Sequence, residues 1–178
     1  MRVILGITGA SGAPVALRLS EQLRKNVELS IIVSEASKRV MKHELGHIID
    51  FDYNASEIDA DIASSSNAPD ALVVCPCSSK TLSSIANNYS DNLIGRVADI
   101  VLRTKGKLIL CPRETPYSLP YVENLRKVLL SGAYVLPLNV AYYTKPKSIE
   151  DITDFFVGKV LDILGIENNL YKRWKSEA

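Results

Sequence analysis

Short runs of consecutive apolar residues alternate along this chain with longer stretches in which apolar residues recur every three or four positions. Val3-Ile4-Leu5-Gly6-Ile7 is one such run, broken by Thr8-Gly9-Ala10-Ser11-Gly12-Ala13-Pro14, after which Val15, Leu19 and Leu23 keep helical spacing. That pattern predicts a strand, a tight turn and a helix, with Pro14 in the first helical turn, where its missing N–H costs nothing. Residues 27–33 predict a second strand, and Ser34-Glu35-Ala36-Ser37 opens a helix to about His47. Residues 50–69, rich in Ser, Asp and Asn, predict a surface excursion containing a small helix. Ala71-Leu72-Val73-Val74-Cys75 predicts a buried strand ended by Pro76. Further on, the pattern predicts helices from Ser78 to Ala86, Asp91 to Leu102 and Leu119 to Leu130, with strands at Leu108 to Cys111 and Ala133 to Leu136. Ser148-Ile149-Glu150-Asp151 resembles a capping box, with Ile152, Phe156, Val160 and Ile163 as the apolar stripe behind it.

Strands that are short, continuous and rich in Val, Ile and Leu, each followed by a helix, are what a parallel sheet covered on both faces requires. The expected fold class is therefore α/β, a three-layer αβα Rossmann-like arrangement with a mostly parallel sheet. At 178 residues, 47% of them hydrophobic, the chain is expected to form one domain over residues 1–178, with a C-terminal tail from about residue 166. In such sheets ligands bind beyond the carboxyl ends of the strands, so the residues just after each strand are the informative ones.

Charge and cysteine content change this picture little. Twenty-one Lys plus Arg stand against 20 Asp plus Glu, so the overall balance draws the chain neither to nucleic acid nor to an anionic membrane. Cys75, Cys77 and Cys111 lie in or beside apolar runs, where a small buried thiol is expected, and Cys75-Pro76-Cys77 lacks metal-ligand spacing. The first apolar run is far shorter than the roughly 20 residues that cross a bilayer, which implies a cytoplasmic protein. Two glycosylation sequons, at Asn54 and Asn88, then have no use.

Gly9-Ala10-Ser11-Gly12 places two residues without side chains around a hydroxyl directly before a helix, where exposed N–H groups and the positive helix end favour a phosphorylated ligand. The glycines are spaced G-x-x-G-x-x-G and no Walker lysine follows, which disfavours a dinucleotide or triphosphate site; a plain tight turn is the alternative. Cys77-Ser78-Ser79-Lys80-Thr81 brings hydroxyls and a cation to the end of the next strand, as either a polar N-cap or part of a site. Two such turns on one sheet edge suit the phosphate and polar ring edge of flavin mononucleotide (FMN). Pro112-Arg113-Glu114-Thr115-Pro116 holds an Arg and a Glu on stiff backbone after another strand. Arg can clamp a phosphate and a Glu beside that phosphate can have its pKa raised enough to carry a proton, whereas a surface ion pair is the bland reading. Tyr142-Tyr143-Thr144-Lys145-Pro146-Lys147 suits an ordinary loop, an isoprenoid-phosphate site or a subunit contact.

His43-Glu44-Leu45-Gly46-His47 matches the H-E-x-x-H zinc motif. Only two histidines exist in the chain, a glycine interrupts the segment, and the βαβ surroundings offer no long substrate groove, so no metal site is expected.

Taken in order, Thr8-Gly9-Ala10-Ser11-Gly12, Cys75-Pro76-Cys77-Ser78 with Thr81, Asn92-Leu93-Ile94 with Arg96-Val97-Ala98-Asp99, Pro112-Arg113-Glu114, Glu123-Asn124, Ser131-Gly132-Ala133, Tyr143 with Pro146, Asp151 and Lys172-Arg173-Trp174 closely resemble the flavin prenyltransferase family over nearly the whole chain. The resemblance implies an enzyme that joins dimethylallyl phosphate to reduced FMN, yielding prenylated FMN for a separate decarboxylase. It implies flavin contacts from Gly9, Ala10, Ser11, Ser34, Ser78, Ser79, Lys80, Thr81 and Arg113. It also implies catalytic roles for Glu114, Ser11 and Glu44, and substrate contacts from Arg96, Arg103, Tyr143 and Lys159, with Arg96 serving a neighbouring subunit of a homo-oligomer resembling the family's dodecamer. Arg103 and Lys159 stand where Lys and Arg are usual in bacterial members, which leaves open monophosphate against diphosphate as the donor.

That chemistry suits the residue types. Loss of an allylic phosphate needs cations around the leaving group, which Arg113, Arg103 and Lys159 supply, and needs no metal. Two rivals remain at this level: a flavin-dependent cysteine decarboxylase, for which His43 and His47 lie near the expected active histidine, and a non-catalytic flavin-binding subunit. Leu119, Leu125, Val128 and Leu129 are expected to cover the sheet, leaving Tyr89, Tyr117, Tyr121 and Tyr142 for contacts between subunits.

Overall fold

A computed structural model describes residues 1–174. Strands β1 (Arg2–Ile7), β2 (Glu28–Val33), β3 (Tyr53–Asn54), β4 (Ala71–Cys77), β5 (Lys107–Pro112) and β6 (Tyr134–Val135) form one sheet in the order β3-β2-β1-β4-β5-β6, every pairing parallel. Helices α1 (Ala13–Asn26), α2 (Glu35–Leu45), α3 (Ser79–Ala86), α4 (Leu93–Arg103), α5 (Leu119–Leu130) and α6 (Ile149–Leu164) cover it.

Successive residues of a strand face opposite sides, so the continuous apolar runs feed two cores. Val3, Leu5, Ile7, Val73 and Ile109 pack with Leu19 and Leu23 of α1 and Phe156 and Val160 of α6. Ile4, Leu72, Val74 and Leu110 pack with Leu82 of α3, Val97 of α4 and Tyr121 and Val128 of α5. This is the expected three-layer arrangement. The chain leaves β1 toward β2 and later returns to β4 on the other side of β1, which places a crevice beyond the carboxyl ends of β1 and β4.

Three expectations change. β4 does not stop at Pro76: the Cys75–Pro76 peptide bond is cis, the register shifts, and pairing with β5 resumes at Cys77 opposite Pro112. The 50–69 excursion adds a strand, Tyr53–Asn54 beside β2, followed by two short 3-10 turns, Asp61–Ala63 and Ser65–Asn67. A two-residue strand carries no periodicity to detect. On α5, Tyr121 and Val128 are buried and Leu125 is partly so, whereas Leu119 and Leu129 lie exposed. Both sets are helically spaced, and only packing decides which faces inward. Beyond α6, whose capping box forms as expected, Ile166 and Leu170 fold back on the core, and Asp162 accepts the Tyr171 hydroxyl at 2.5 Å and Arg173 Nη2 at 2.8 Å. The tail expected from about residue 166 is thus docked along its described part; residues 175–178 lie outside the described residues.

Candidate active site

The crevice is closed at its base by Thr8, which is buried at the end of β1. Its hydroxyl donates to the Pro76 carbonyl and accepts the Ser78 N–H, both at 2.7 Å. Gly9 then passes so close to α2 that a Cβ on it would stand 2.5 Å from the Ala36 Cβ. The next turn ends at Gly12 with φ 127°, a left-handed conformation that favours glycine.

The N-terminus of α1 differs from the expectation of an open phosphate cradle. Glu44, near the end of α2, accepts the N–H of Gly12 at 3.0 Å and of Ala13 at 2.8 Å, with the Ser11 hydroxyl close enough to favour its charged form. The positive end of the helix already faces an anion belonging to the chain. Burial pushes the Glu44 carboxyl upward, but the Ser11 hydroxyl and the N–H groups of Gly12 and Ala13 more than offset this and hold it below its ordinary value.

Beyond Gly9 lies a cleft of about 460 Å³ whose lining includes Ser34, Ser56, Ser78, Lys80 and Thr81 together with the acidic Glu35 and Asp91. Three helix N-termini open on it. Ser34 caps α2 by accepting the Ser37 N–H, Ser78 caps α3 by accepting the Thr81 N–H, and Asn92 caps α4 by accepting the Gly95 N–H. Helix N-termini and hydroxyls together favour a phosphate monoester. Ser56, in the excursion, was not singled out by the sequence, because a lone serine among polar residues carries no pattern.

Lys80 also borders a second cleft of about 420 Å³, shared with Ser79, Glu114, Tyr121 and Asn124. The raised pKa expected of Glu114 concerns a carboxyl beside a bound phosphate; the chain's own groups act on it in the opposite direction. The Ser79 hydroxyl bonds its Oε2 at 2.7 Å and the Thr115 N–H its Oε1 at 3.2 Å, which with the nearby Arg113 charge keep the carboxyl below its usual range. It stands ready as a proton acceptor. The Tyr121 hydroxyl is buried without a hydrogen-bond partner among the described residues, and burial pushes its pKa up to about 12.

The other expected site residues are distributed unevenly. Ala10 is buried and Ser11 exposed in the first turn, and Arg113 is exposed beside Glu114. Arg96 and Arg103 line neither cleft: both turn to Asp99 on their own helix, Arg96 Nη1 at 3.7 Å and Arg103 Nε at 3.0 Å, and Arg96 Nε also donates to the Ala63 carbonyl. Tyr143 and Lys159 also lie away from both clefts but meet around Phe155, Tyr143 edge-on at 6.1 Å and the Lys159 ammonium 5.6 Å above the ring. Lys159 lies 4.8 Å from the Tyr171 ring, and Trp174 packs edge-on against Tyr143 at 5.3 Å. His43 and His47 are exposed, with His47 beyond the end of α2, so the two do not share a helix face. Among the described residues no group of three or more His, Cys, Asp or Glu is placed to hold a metal ion, and no helix is long and apolar enough to cross a membrane.

Comparison with known proteins gives this geometry a family. The Flavoprotein family model matches residues 1–161. The flavin prenyltransferase UbiX of Methanocaldococcus jannaschii is 48% identical, with 98% of each chain covered. A dodecameric FMN-dependent UbiX-like decarboxylase from Escherichia coli O157:H7 superposes with a TM-score of 0.94 at 37% identity, over 99% of this chain and 100% of that one. The protein AnUbiX (PadA1), solved in complex with FMN and dimethylallyl pyrophosphate, also gives 0.94, at 33% identity over 99% and 98% of the two chains. On this agreement along its length, the chain belongs to the flavin prenyltransferase family of flavoproteins.

Proposed function

We propose that this protein transfers the dimethylallyl group of dimethylallyl phosphate, or of its diphosphate, to reduced FMN, and that prenylated FMN passes to a separate decarboxylase. The observation that carries this reading is the junction of the two clefts at Lys80: hydroxyls and helix N-termini line one, where Glu35 and Asp91 are paired with Lys38 and Lys80, and the Glu114 carboxylate stands in the other. The first cleft fits the FMN phosphate, held by Ser34, Ser56, Ser78 and Thr81 with Lys80 as counter-charge. Gly9, Ala10 and Ser11 would then contact the flavin, as would Arg113 from the turn after β5.

Reduced FMN supplies the nucleophile when bound. Glu114 takes up the proton released as the new carbon bond forms on the ring, and a carboxylate held ionised is suited to that task. Arg113 offers a guanidinium to the leaving phosphate. Ser11 and Glu44, neighbours at the start of α1, would relay a proton beside the ring. Arg96 and Arg103 face away from their own chain's clefts, which suits service to the site of a second copy. Tyr143 and Lys159, which line neither cleft of their own chain, would hold the donor's phosphate in a site completed by a second copy. We place the protein in the cytoplasm as one domain and as a homo-oligomer, with the dodecamer of the E. coli relative as the reference assembly.

Against a cysteine decarboxylase, His43 and His47 are exposed and line neither cleft. Against a purely binding role, Glu114 is held in a fixed, ionised state within an open cleft. Anaerobic incubation with reduced FMN and dimethylallyl phosphate, and in parallel with the diphosphate, is expected to give a flavin heavier by one five-carbon unit on mass spectrometry. Flavin recovered unchanged with both donors overturns the reading. Glu114→Gln is expected to slow formation of this product by about 10²–10⁴-fold.

A further inference from the structure

We propose that Ser79 is a positioning residue for Glu114, distinct from the flavin-holding serines beside it: its hydroxyl, on the first turn of α3, donates to Glu114 Oε2 at 2.7 Å and holds that carboxylate in the cleft at the end of β5. The inference rests on the prenyltransferase reading for its kinetic consequence, though not for its geometry.

Four consecutive residues of one turn divide between two tasks. Ser78 and Thr81 line the hydroxyl-rich cleft and bond each other, with Ser78 capping α3. Ser79 lines only the Glu114 cleft, and Lys80 stands between them. The helical twist of α3 produces this split, since consecutive side chains point about 100° apart. Glu114 leaves a strand on an exposed turn, where a side chain with three rotatable bonds loses entropy if it must be held. The Ser79 hydroxyl and the Thr115 N–H bind one oxygen each, so together they fix both position and rotation.

The charges around Glu114 define what its titration reports. Arg113 precedes it on the same turn, Lys80 approaches from α3 and forms an ion pair with Asp91 at 3.2 Å, and Tyr121 on α5, with Tyr117 stacked on its ring, lines the same cleft. The Ser79 bond is the largest cause holding the carboxyl down, so its loss moves the titration upward.

The test uses Ser79→Ala and Ser79→Thr in the intact protein. Ser78, not Ser79, is the cap of α3, so neither change removes the cap. In Ser79→Ala the Glu114 carboxylate band, assigned by difference against Glu114→Gln, is expected to titrate at higher pH by infrared spectroscopy. The acidic limb of the kcat profile is expected to move in the same direction. On that limb kcat falls about tenfold, the loss typical of one hydrogen bond to a charged group. The dissociation constant for FMN stays unchanged, and Ser79→Thr restores both profiles. Weaker FMN binding with an unmoved acidic limb overturns the proposal and assigns Ser79 to the flavin. An unmoved Glu114 titration overturns it as well. Because the infrared titration needs no turnover, it still decides the point if the wild-type protein fails to prenylate flavin.

Discussion

Thr8 and Ser78 are joined across the sheet by a 2.7 Å hydrogen bond from the Ser78 N–H to the Thr8 hydroxyl, which itself donates to the Pro76 carbonyl. One buried side chain thereby ties the end of β1 to the end of β4 at the point where the strand order reverses, and sets the width of the crevice.

Thr8→Val keeps the shape and removes the hydroxyl, leaving the Ser78 N–H without its partner, while the Pro76 carbonyl still accepts the backbone N–H of residue 8 at 3.2 Å. A buried polar group left unpaired costs about 1–3 kcal/mol. Chemical denaturation is expected to show a loss in that range, and FMN titration a weaker affinity, because Ser78 and Thr81 are seated through the same bond. Unchanged stability would show that neighbouring groups replace it.

Gly9→Ala places a methyl 2.5 Å from the Ala36 Cβ, a contact that cannot exist without movement of the backbone. Overpacking of this kind costs about 1–3 kcal/mol. Since Gly9 and Ala36 both border the hydroxyl-lined cleft, FMN affinity is expected to fall together with the melting temperature. Pairing the change with Ala36→Gly is expected to recover both.

Glu44 gives a defined pH signature. Its folded-state carboxyl titrates below the ordinary value of 4.5, so the stability it contributes is present above pH 4.5 and is lost as pH falls through the lower folded value. Glu44→Gln keeps the acceptor for Gly12 and Ala13 but removes the charge at the α1 N-terminus. Near neutral pH the variant is expected to be about 1 kcal/mol less stable, and the difference is expected to vanish below that window. Melting curves from pH 7 to pH 3 measure it, and a difference that persists in acid contradicts the assignment.

On α5, Leu119 and Leu130 are 74% and 73% exposed, with Val122 and Leu129 beside them. A helix that buries one apolar face and displays another suits a contact between copies. Leu119→Glu combined with Leu130→Glu is expected to give a smaller assembly by light scattering at unchanged secondary structure. Retention of the wild-type mass moves the contact to another face.

Much of this protein was legible in its sequence for a simple reason: parallel strands buried on both faces must be continuously apolar, and helices covering them must carry a stripe. Val3 to Ile7, Leu108 to Cys111, the α5 segment and the capping box at Ser148 declare themselves by such local rules, as do the serines at the helix starts. Which side chains meet was another matter. Glu44 bonds a turn 32 residues earlier, Ser79 bonds a carboxylate 35 residues later, and Tyr53–Asn54 is a strand only because β2 lies beside it. Those pairings depend on how α2, α3 and the β5 turn are set against one another at the sheet edge. Spacing along one element encodes its own buried face but not the partner that face will find, so the division of one serine-rich turn between the hydroxyl-lined cleft and the Glu114 carboxylate was decided by the tertiary structure alone.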